Sequence, residues 1–451
     1  MSTATAPAPP DQLKRQLGLG SAAAAVAGEA IAVGIFLTPA GMAKSLGSPG
    51  LLFVVWLMLG AMTLSGALCY GELASRFPQS GGTYVYLREA YGPLVAFLYG
   101  WMCLLVLDPG LAAALATGTG AYAAYIFHWS PLGIKVAAVS VLCALCAVNI
   151  VSTTASAGLM RWVTWLKFGV LGLLAMVPIV LRLGSWKHFE PFWQQRPGAM
   201  PLGPALGGAM VAAFFSFGGW WDVSKIAGEV KDPERTMPRA LVLGVLGVTA
   251  VYMAVSAVFL YLVPLEKVTS DETFVAQAGE VLFGHAGGNF LAAIVVVSVL
   301  GSLAVFTMVA PRVYYAMAKD GLFLKAVARP HRRFGTPAYA IGLQGAIAAL
   351  LVIAGNFQQI ISYFIFVAVL FLGLAVGGLF VLRRRKGGEE TATMASGYPV
   401  TPAIFILLVA VLLVLLAGHN PTQAALGCAV VLAGAPVYFY LRRKAVQRDE
   451  P

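Results

Sequence analysis

Charged side chains stand at four positions inside stretches of sequence that are otherwise apolar, namely Glu29, Asp108, Lys167 and Asp222. Acids at membrane depth bind a cation, relay protons or pair with a base, and a lysine there needs a partner in the protein interior. These four are our candidates for coupling or gating. For Glu29, a substrate or proton site, a salt bridge, and packing near the cytoplasmic entrance all stay open. Asp222 stands three residues before Lys225, a helical spacing that favours an ion pair.

Two glycine-containing segments interrupt apolar stretches, IAVGIF at 31–36 and FSFGGW at 215–220. An interrupted helix leaves backbone N–H and C=O groups unpaired, which hydrocarbon tolerates only where they line a cavity or meet a ligand. N–H groups after the first break, at the positive end of the next half-helix, suit a carboxylate, and carbonyls before the second suit an ammonium group. Together the breaks predict a site for an α-amino acid.

The composition identifies the medium in which these elements fold. Of 451 residues, 59% are hydrophobic and 11% charged, with a mean hydropathy of +0.82, whereas soluble domains average roughly 45–50% apolar and about 25% charged. The chain is therefore predicted to be an integral membrane protein, since it divides into twelve stretches long enough to span a bilayer. They lie near residues 18–46, 50–74, 89–126, 132–151, 158–182, 204–230, 238–264, 286–318, 337–354, 358–382, 400–418 and 422–441.

Basic residues set the expected orientation. Most of the 30 lysine and arginine residues fall in segments on one side of the membrane if both termini are cytoplasmic, as the positive-inside rule requires. The net charge of +11 thus follows from topology, and no soluble segment is long enough to bind nucleic acid. Residues 1–17 and 442–451 are expected to be cytoplasmic tails, and segments 184–204 and 266–288 to be outside loops.

The two breaks begin equivalent halves of the chain. Helices 1–5 (residues 18–182) and helices 6–10 (204–382) each open with an interrupted helix, followed by two further helices at 400–441. This order predicts an all-α fold with the 5+5 inverted repeat of LeuT-type transporters.

Neither a metal nor a cofactor is expected. All five cysteines lie within apolar spans, and although Cys143 and Cys146 have the spacing of metal ligands, cysteines at lipid depth are mostly packing residues. The five histidines stand at helix ends or in loops and form no cluster. A membrane enzyme would need such a cluster, or a nucleophile with its base, and none is present in the sequence.

Short motifs then carry a resemblance that extends over nearly the whole chain. The sequence resembles the L-type amino acid transporter branch of the amino acid, polyamine and organocation superfamily through GIFLTP at 34–39, GSPG at 47–50, YGELA at 70–74, SGGTY at 80–84, EAYG at 89–92, FGGW at 217–220, GEVKDPE at 228–234, PR at 238–239, KDG at 319–321, TP at 336–337 and GAPVYFY at 434–440. The resemblance implies twelve transmembrane helices and amino acid transport.

The resemblance also assigns the substrate site. Similar proteins hold the substrate carboxylate on a Gly-Ser-Gly turn, which corresponds to Ala32, Val33 and Gly34; two of the three positions differ, so the floor of the pocket is more apolar. Ile31 opens the same interruption. Phe215 corresponds to an aromatic gate. The substrate's α-amino group is expected at Ser216, Phe217 and Gly218, and ordinary helix packing is the alternative role for both phenylalanines.

Lys167 corresponds by resemblance to a fifth-helix lysine whose ammonium group lies where sodium sits in sodium-coupled relatives. This implies sodium-independent transport. The predicted function is a permease of the cell membrane that takes up neutral L-amino acids by exchange or with protons. Cationic amino acids or polyamines are the alternative because of the three intramembrane acids, and an amino acid sensor on the same fold is the non-transport alternative.

The sequence contains no feature that predicts an obligatory heavy subunit, and it leaves the oligomeric state open. Glu229 and Arg239 flank the turn between helices 6 and 7, where a structural ion pair is expected.

Overall fold

The structure is a computed structural model of the 451-residue chain. It describes residues 15–32, 34–151, 153–265, 274–355, 357–385, 397–419 and 421–449. Within these residues the regular secondary structure is helical, and one isolated β-bridge joins Leu17 to Val230. This bridge holds the start of the chain against the segment that follows the second break.

Sixteen α-helices succeed one another in the described ranges: α1 (Leu19–Ala30), α2 (Gly34–Leu46), α3 (Pro49–Arg76), α4 (Thr83–Tyr91), α5 (Pro93–Met102), α6 (Asp108–Phe127), α7 (Pro131–Val151), α8 (Thr153–Val180), α9 (Leu202–Phe217), α10 (Pro233–Leu262), α11 (Phe274–Val309), α12 (Arg312–Lys319), α13 (Ala338–Ala354), α14 (Phe357–Arg385), α15 (Val400–His419) and α16 (Pro421–Asp449). A π-helical segment, Cys103–Leu107, joins α5 to α6. Two 3₁₀ segments occur at Trp186–Phe189 and Asp222–Glu229.

Ten helical segments in the described part of the chain are long and apolar enough to cross a membrane. The protein is thus a multi-pass membrane protein whose described part is built from helices. The broken helix formed by α1 and α2 falls outside this count because each half is short, and α13 is a shorter apolar helix of 17 residues. Helical residues are present within each of the twelve predicted stretches.

Two predicted boundaries were wrong. The third span was predicted from residue 89, but residues 89–91 belong to the separate helix α4, because Gly92 has a φ of 91° and Pro93 starts α5 anew. Segment 266–288 was predicted to be a loop; residues 266–273 lie outside the described residues, and from Phe274 the chain forms α11, which bends at Gly284, where φ is 68°. In both places a glycine adopts a left-handed conformation that other residues disfavour, and the chain changes direction there.

Ion pairs join helix ends in segments predicted to be cytoplasmic. Glu72 lies 2.6 Å from both Arg76 and Arg383, and Arg88 lies 2.6 Å from Asp320. The prediction that Glu229 pairs with Arg239 was wrong. Glu229 accepts a hydrogen bond of 3.0 Å from Arg312 at the start of α12, whereas Arg239 is exposed on the outward face of α10.

Candidate functional site

The first break separates α1 from α2 in the middle of the helical bundle. The last turn of α1 is closed by hydrogen bonds from the N–H of Ile31 to Ala27 O and from the N–H of Ala32 to Ala30 O, both 2.8 Å. Helix α2 then begins at Gly34. Because the last carbonyls of a helix and the first N–H groups of the next have no helical partner, the break exposes acceptors on one side and donors on the other.

Lys167 satisfies the acceptors at the end of α1. Its buried Nζ donates to Gly28 O at 3.0 Å, to Ile31 O at 2.8 Å and to the Ser302 hydroxyl at 2.5 Å. Ser302 Oγ in turn lies 2.7 Å from Gly28 O and 3.1 Å from Ile31 O. A cation is favoured at a helix C-terminus, and this one uses all three of its N–H groups there. It ties α8 and α11 to the first break.

The second break follows α9, which ends at Phe217. The N–H of Gly218 donates to Phe215 O at 3.1 Å, and Gly219 has a φ of 100°. The chain then turns into the 3₁₀ segment that starts at Asp222, whose N–H donates to Gly219 O at 2.9 Å. The α-helix thus ends before Gly218, and the left-handed Gly219 leads the chain into the 3₁₀ segment.

The two breaks touch each other. A Cβ added to Gly34 would lie 2.6 Å from the Cα of Ser216, so only glycine fits between these backbones. The Tyr252 hydroxyl on α10 lies 2.5 Å from Ala30 O and 2.6 Å from Ser216 O, one carbonyl from each break. The Ser216 side chain bonds Thr38 Oγ1 at 2.6 Å and Ala212 O at 3.0 Å. The interrupted segments therefore form one contiguous polar backbone region.

A cavity lies beside this region. Its walls include residues from both breaks. Glu29, Asp222 and Ser302 contribute polar side chains, and most of the other lining side chains are apolar. The lining consists of Glu29, Ala32, Gly34, Leu107, Leu111, Leu115, Phe214, Phe215, Gly218, Gly219, Trp221, Asp222, Ser302, Phe306, Ile365 and Ala368.

The structure brings six of the predicted site residues to this cavity: Glu29, Ala32, Gly34, Phe215, Gly218 and Asp222. Ile31 and Ser216 lie behind the wall, engaged through the hydrogen bonds given above. The Phe217 ring, 1% exposed, packs against Trp56 and Tyr252 with centroid distances of 6.0 and 5.1 Å, which is a core position. Val33 lies outside the described residues.

Three buried charged residues form a cluster next to the cavity. Lys225 Nζ lies 2.7 Å from Asp222 Oδ1 and donates to Asp108 Oδ1 at 3.1 Å, while the Tyr314 hydroxyl donates to Asp108 Oδ2 at 2.7 Å. Asp108 begins α6 directly after the π-helical segment and precedes Pro109, which has no N–H to donate. The cluster connects α6, the 3₁₀ segment and α12.

Glu29 differs from these paired groups. It stands in the last turn of α1, is 5% exposed, and both of its carboxylate oxygens are buried without a hydrogen-bond partner among the described residues. Its Cβ would lie 2.9 Å from a Cβ added to Gly219, so its stem packs on the second break. Glu29 is therefore an acid that lines the cavity and whose two carboxylate oxygens accept no hydrogen bond from the described residues.

Sequence reasoning missed two hydroxyl residues and the ion pair between Lys225 and Asp108. Tyr252 and Ser302 are single hydroxyl residues within apolar spans, so nothing in the local pattern distinguishes them from packing residues. The bond from Lys225 to Asp108 joins residues 117 positions apart, a separation that no local pattern encodes. Among the side chains that the structure describes, no group of three or more His, Cys, Asp or Glu residues is placed to hold a metal ion.

Residues 17–435 match the family described as amino acid permease. The chain belongs to the amino acid permease family. It is 30% identical to the serine/threonine exchanger SteT of Bacillus subtilis (strain 168), an alignment that covers 96% of this chain and 98% of that protein.

Two mammalian relatives of this permease are similar at lower identity. The b(0,+)-type amino acid transporter 1 of Homo sapiens is 28% identical over 95% of this chain and 88% of its own length. The large neutral amino acids transporter small subunit 2 of Mus musculus is 28% identical over 95% of this chain and 81% of its own length. The predicted resemblance to the amino acid transporter superfamily is confirmed.

Proposed function

We propose that this permease exchanges neutral L-amino acids across the cell membrane, independently of sodium and by alternating access. The observation that carries the proposal is the cavity beside the two interrupted helices, which is lined by Gly34 of the first and Gly218 of the second. The names of the relatives support amino acid exchange.

The substrate's charged ends would bind to the backbone. The first N–H groups of α2, beginning at Gly34, lie at the positive end of that helix and suit the α-carboxylate. Carbonyls near the end of α9, around Phe214 and Phe215, suit the α-ammonium group. Ser216 O is engaged by Tyr252, so we assign to it a role in holding the breaks together, with no direct contact to substrate.

The substrate's side chain would occupy the apolar part of the cavity. The lining side chains there include Leu107, Leu111, Leu115, Phe306 and Ile365. They offer dispersion contacts and no hydrogen bonds. A polar or charged side chain would lose hydration there without recovering it. This favours neutral amino acids, and Phe215 would close over the bound molecule.

Sodium independence rests on Lys167. Its ammonium group already donates to the carbonyls of Gly28 and Ile31, the kind of oxygen ligands that a sodium ion would otherwise use. A second cation at the same carbonyls would meet strong repulsion.

For the architecture, we propose the twelve-helix arrangement with inverted repeats at 18–182 and 204–382, two further helices at 400–441, and tails at 1–17 and 442–451 in the cytoplasm. The two interrupted helices and the bias of basic residues support this arrangement. The alternating access motion would then move one repeat against the other around the cavity.

A cationic amino acid or polyamine is the second candidate substrate, because Glu29 and Asp222 line the cavity. Purified protein in liposomes separates the two. Liposomes preloaded with unlabelled L-serine, L-threonine, L-leucine, L-lysine or spermidine are given the labelled compound outside in sodium-free buffer. Faster labelled uptake with internal L-serine, L-threonine or L-leucine supports the proposal, and a response to L-lysine or spermidine alone supports the alternative.

A further inference from the structure

Glu29 presents an unusual electrostatic situation. Its carboxylate lines the cavity, its residue is 5% exposed, and neither oxygen has a hydrogen-bond partner among the described residues. A buried ionised carboxylate with no partner carries a desolvation cost of several kcal/mol. The charge of Glu29 therefore has to be neutralised by something that binds to it.

The neighbouring charged groups are already engaged. The charged residues that act on Glu29 come from the 3₁₀ segment, from α6 and from α8: Asp222, Lys225, Asp108 and Lys167. Helices α10 and α11, which also pack on α1, contribute the hydroxyls of Tyr252 and Ser302, both already bonded to backbone carbonyls of α1.

Neither lysine is hydrogen-bonded to Glu29. All three N–H groups of Lys167 are used at the end of α1, on Gly28 O, Ile31 O and Ser302 Oγ. Lys225 lies between Asp108 and Asp222, two acids for one base. With every group ionised, these five residues carry one negative charge in excess, and Glu29 is the acid without a direct counter-ion.

We propose that Glu29 binds a proton that travels with the amino acid, so that the permease also performs net uptake driven by a pH gradient. A proton needs one carboxylate oxygen, removes the charge and leaves a single O–H donor. An ammonium or guanidinium side chain carries three to five donors, and around Glu29 the cavity offers apolar side chains and an Asp222 that already faces Lys225.

The position of Glu29 explains how the proton would be coupled to movement. The residue stands in the last turn of α1 and its stem packs against Gly219 of the second break. When neutral, it is stable in this dry contact. When it loses the proton, its charge is disfavoured there and repelled by Asp222, so α1 moves away until water reaches the carboxylate.

The stoichiometry follows from this cycle. One proton binds from the side on which the cavity opens, crosses with one zwitterionic amino acid and is released on the other side, so one positive charge is moved. Exchange of one amino acid for another leaves Glu29 protonated throughout and moves no net proton. The inference rests on the proposed function, because it concerns the same cavity.

The test uses purified full-length protein in liposomes with the membrane potential clamped by potassium and an ionophore. An inward proton gradient of about one pH unit should support about tenfold accumulation of labelled L-threonine or L-leucine. A pH-sensitive dye in the lumen should report acidification when the amino acid is added. Counterflow exchange is measured in the same preparations without a gradient.

Glu29→Gln should lose gradient-driven accumulation and luminal acidification while counterflow persists. Glu190→Gln, the same change at an exposed position on the loop before α9, should behave as wild type. If Glu29→Gln cannot be purified, Glu29→Asp replaces it and should shift the external pH of half-maximal uptake.

The outcomes are distinct. Tenfold accumulation that survives in Glu29→Gln, or an unshifted pH profile in Glu29→Asp, overturns the inference. Wild-type counterflow without any gradient-driven accumulation overturns it as well and leaves the proposed function standing. Loss of L-lysine binding alone in Glu29→Gln, with accumulation of L-leucine intact, assigns the carboxylate to a cationic substrate and also overturns it. Absence of counterflow in wild type is a failure of the proposed function.

Discussion

Replacing Gly34 by alanine tests the contact between the two interrupted helices with a single methyl group. The added Cβ would lie 2.6 Å from the Cα of Ser216, 3.0 Å from its Oγ and 3.2 Å from its Cβ. Carbon atoms in favourable contact are about 3.5–4.0 Å apart, so the two segments must separate by about 1 Å. The Tyr252 hydroxyl, which contacts Ala30 O and Ser216 O across this junction, would lose at least one acceptor.

The expected magnitude follows from the cost of overpacking. Extra atoms in a filled interior cost about 1–3 kcal/mol, which corresponds to about 5- to 150-fold in a population or an affinity. We therefore expect Gly34→Ala to bind amino acids about 5- to 150-fold more weakly and to exchange them correspondingly slowly. Thermal stabilisation of the purified protein by L-threonine and L-leucine measures binding, and counterflow in liposomes measures exchange.

Gly208→Ala is the matched control. Gly208 lies in α9, the same helix as Ser216, and an added Cβ there meets no atom within 4 Å. Because alanine favours a helix over glycine by about 0.5–1 kcal/mol, the control should be at least as stable as wild type and equally active. Wild-type binding and exchange in Gly34→Ala would refute the assignment of the site to this junction.

Three further substitutions follow from the buried hydrogen bonds and ion pairs. Lys167→Ala should slow exchange about 5- to 150-fold without preventing membrane insertion. The Ser302 hydroxyl can pair only one of the two carbonyls that Lys167 leaves, and an unpaired buried carbonyl costs about 1–3 kcal/mol. Equal exchange rates in the mutant and the wild type would contradict this role of Lys167. Tyr252→Phe should destabilise the protein in detergent by about 1–3 kcal/mol for the same reason, measured by thermal unfolding, and an unchanged unfolding temperature would argue against it. Lys225→Met should lower the stability of the protein by about 3–5 kcal/mol, because it leaves Asp108 and Asp222 buried without a counter-ion. Combining it with Asp108→Asn and Asp222→Asn should recover part of that stability. A triple variant no more stable than the single one would contradict the ion-pair account.

The sequence was informative wherever the membrane imposed a strong local penalty. The apolar spans could be predicted because a helix needs a long apolar stretch to cross the hydrocarbon core. The two breaks could be predicted because unpaired backbone groups at membrane depth are tolerated only where they line a cavity or are buried in protein. Lys167 could be singled out because a lysine at that depth needs partners, and it has three. The spacing of Asp222 and Lys225 likewise predicted their 2.7 Å ion pair.

Other features depend on contacts between distant segments. Tyr252 joins carbonyls 36 and 222 positions away, and a tyrosine in an apolar span gives no local indication of that role. The bend at Gly284 and the separate helix α4 depend on left-handed glycines, and many glycines in this chain do not adopt that conformation. From the sequence, Phe217 could belong either to the substrate site or to helix packing. Its aromatic neighbours in the structure place it in the core.

The central claim is that the cavity between the two breaks carries neutral amino acids without sodium. The most direct measurement is counterflow of labelled L-threonine and L-leucine into liposomes containing the purified permease, in choline chloride and in sodium chloride, with and without internal unlabelled substrate and without a pH gradient. The account predicts saturable uptake that internal substrate accelerates, at equal rates in the two salts, and reduced about 5- to 150-fold in Gly34→Ala. Uptake that requires sodium, or no saturable uptake of either amino acid, would contradict it.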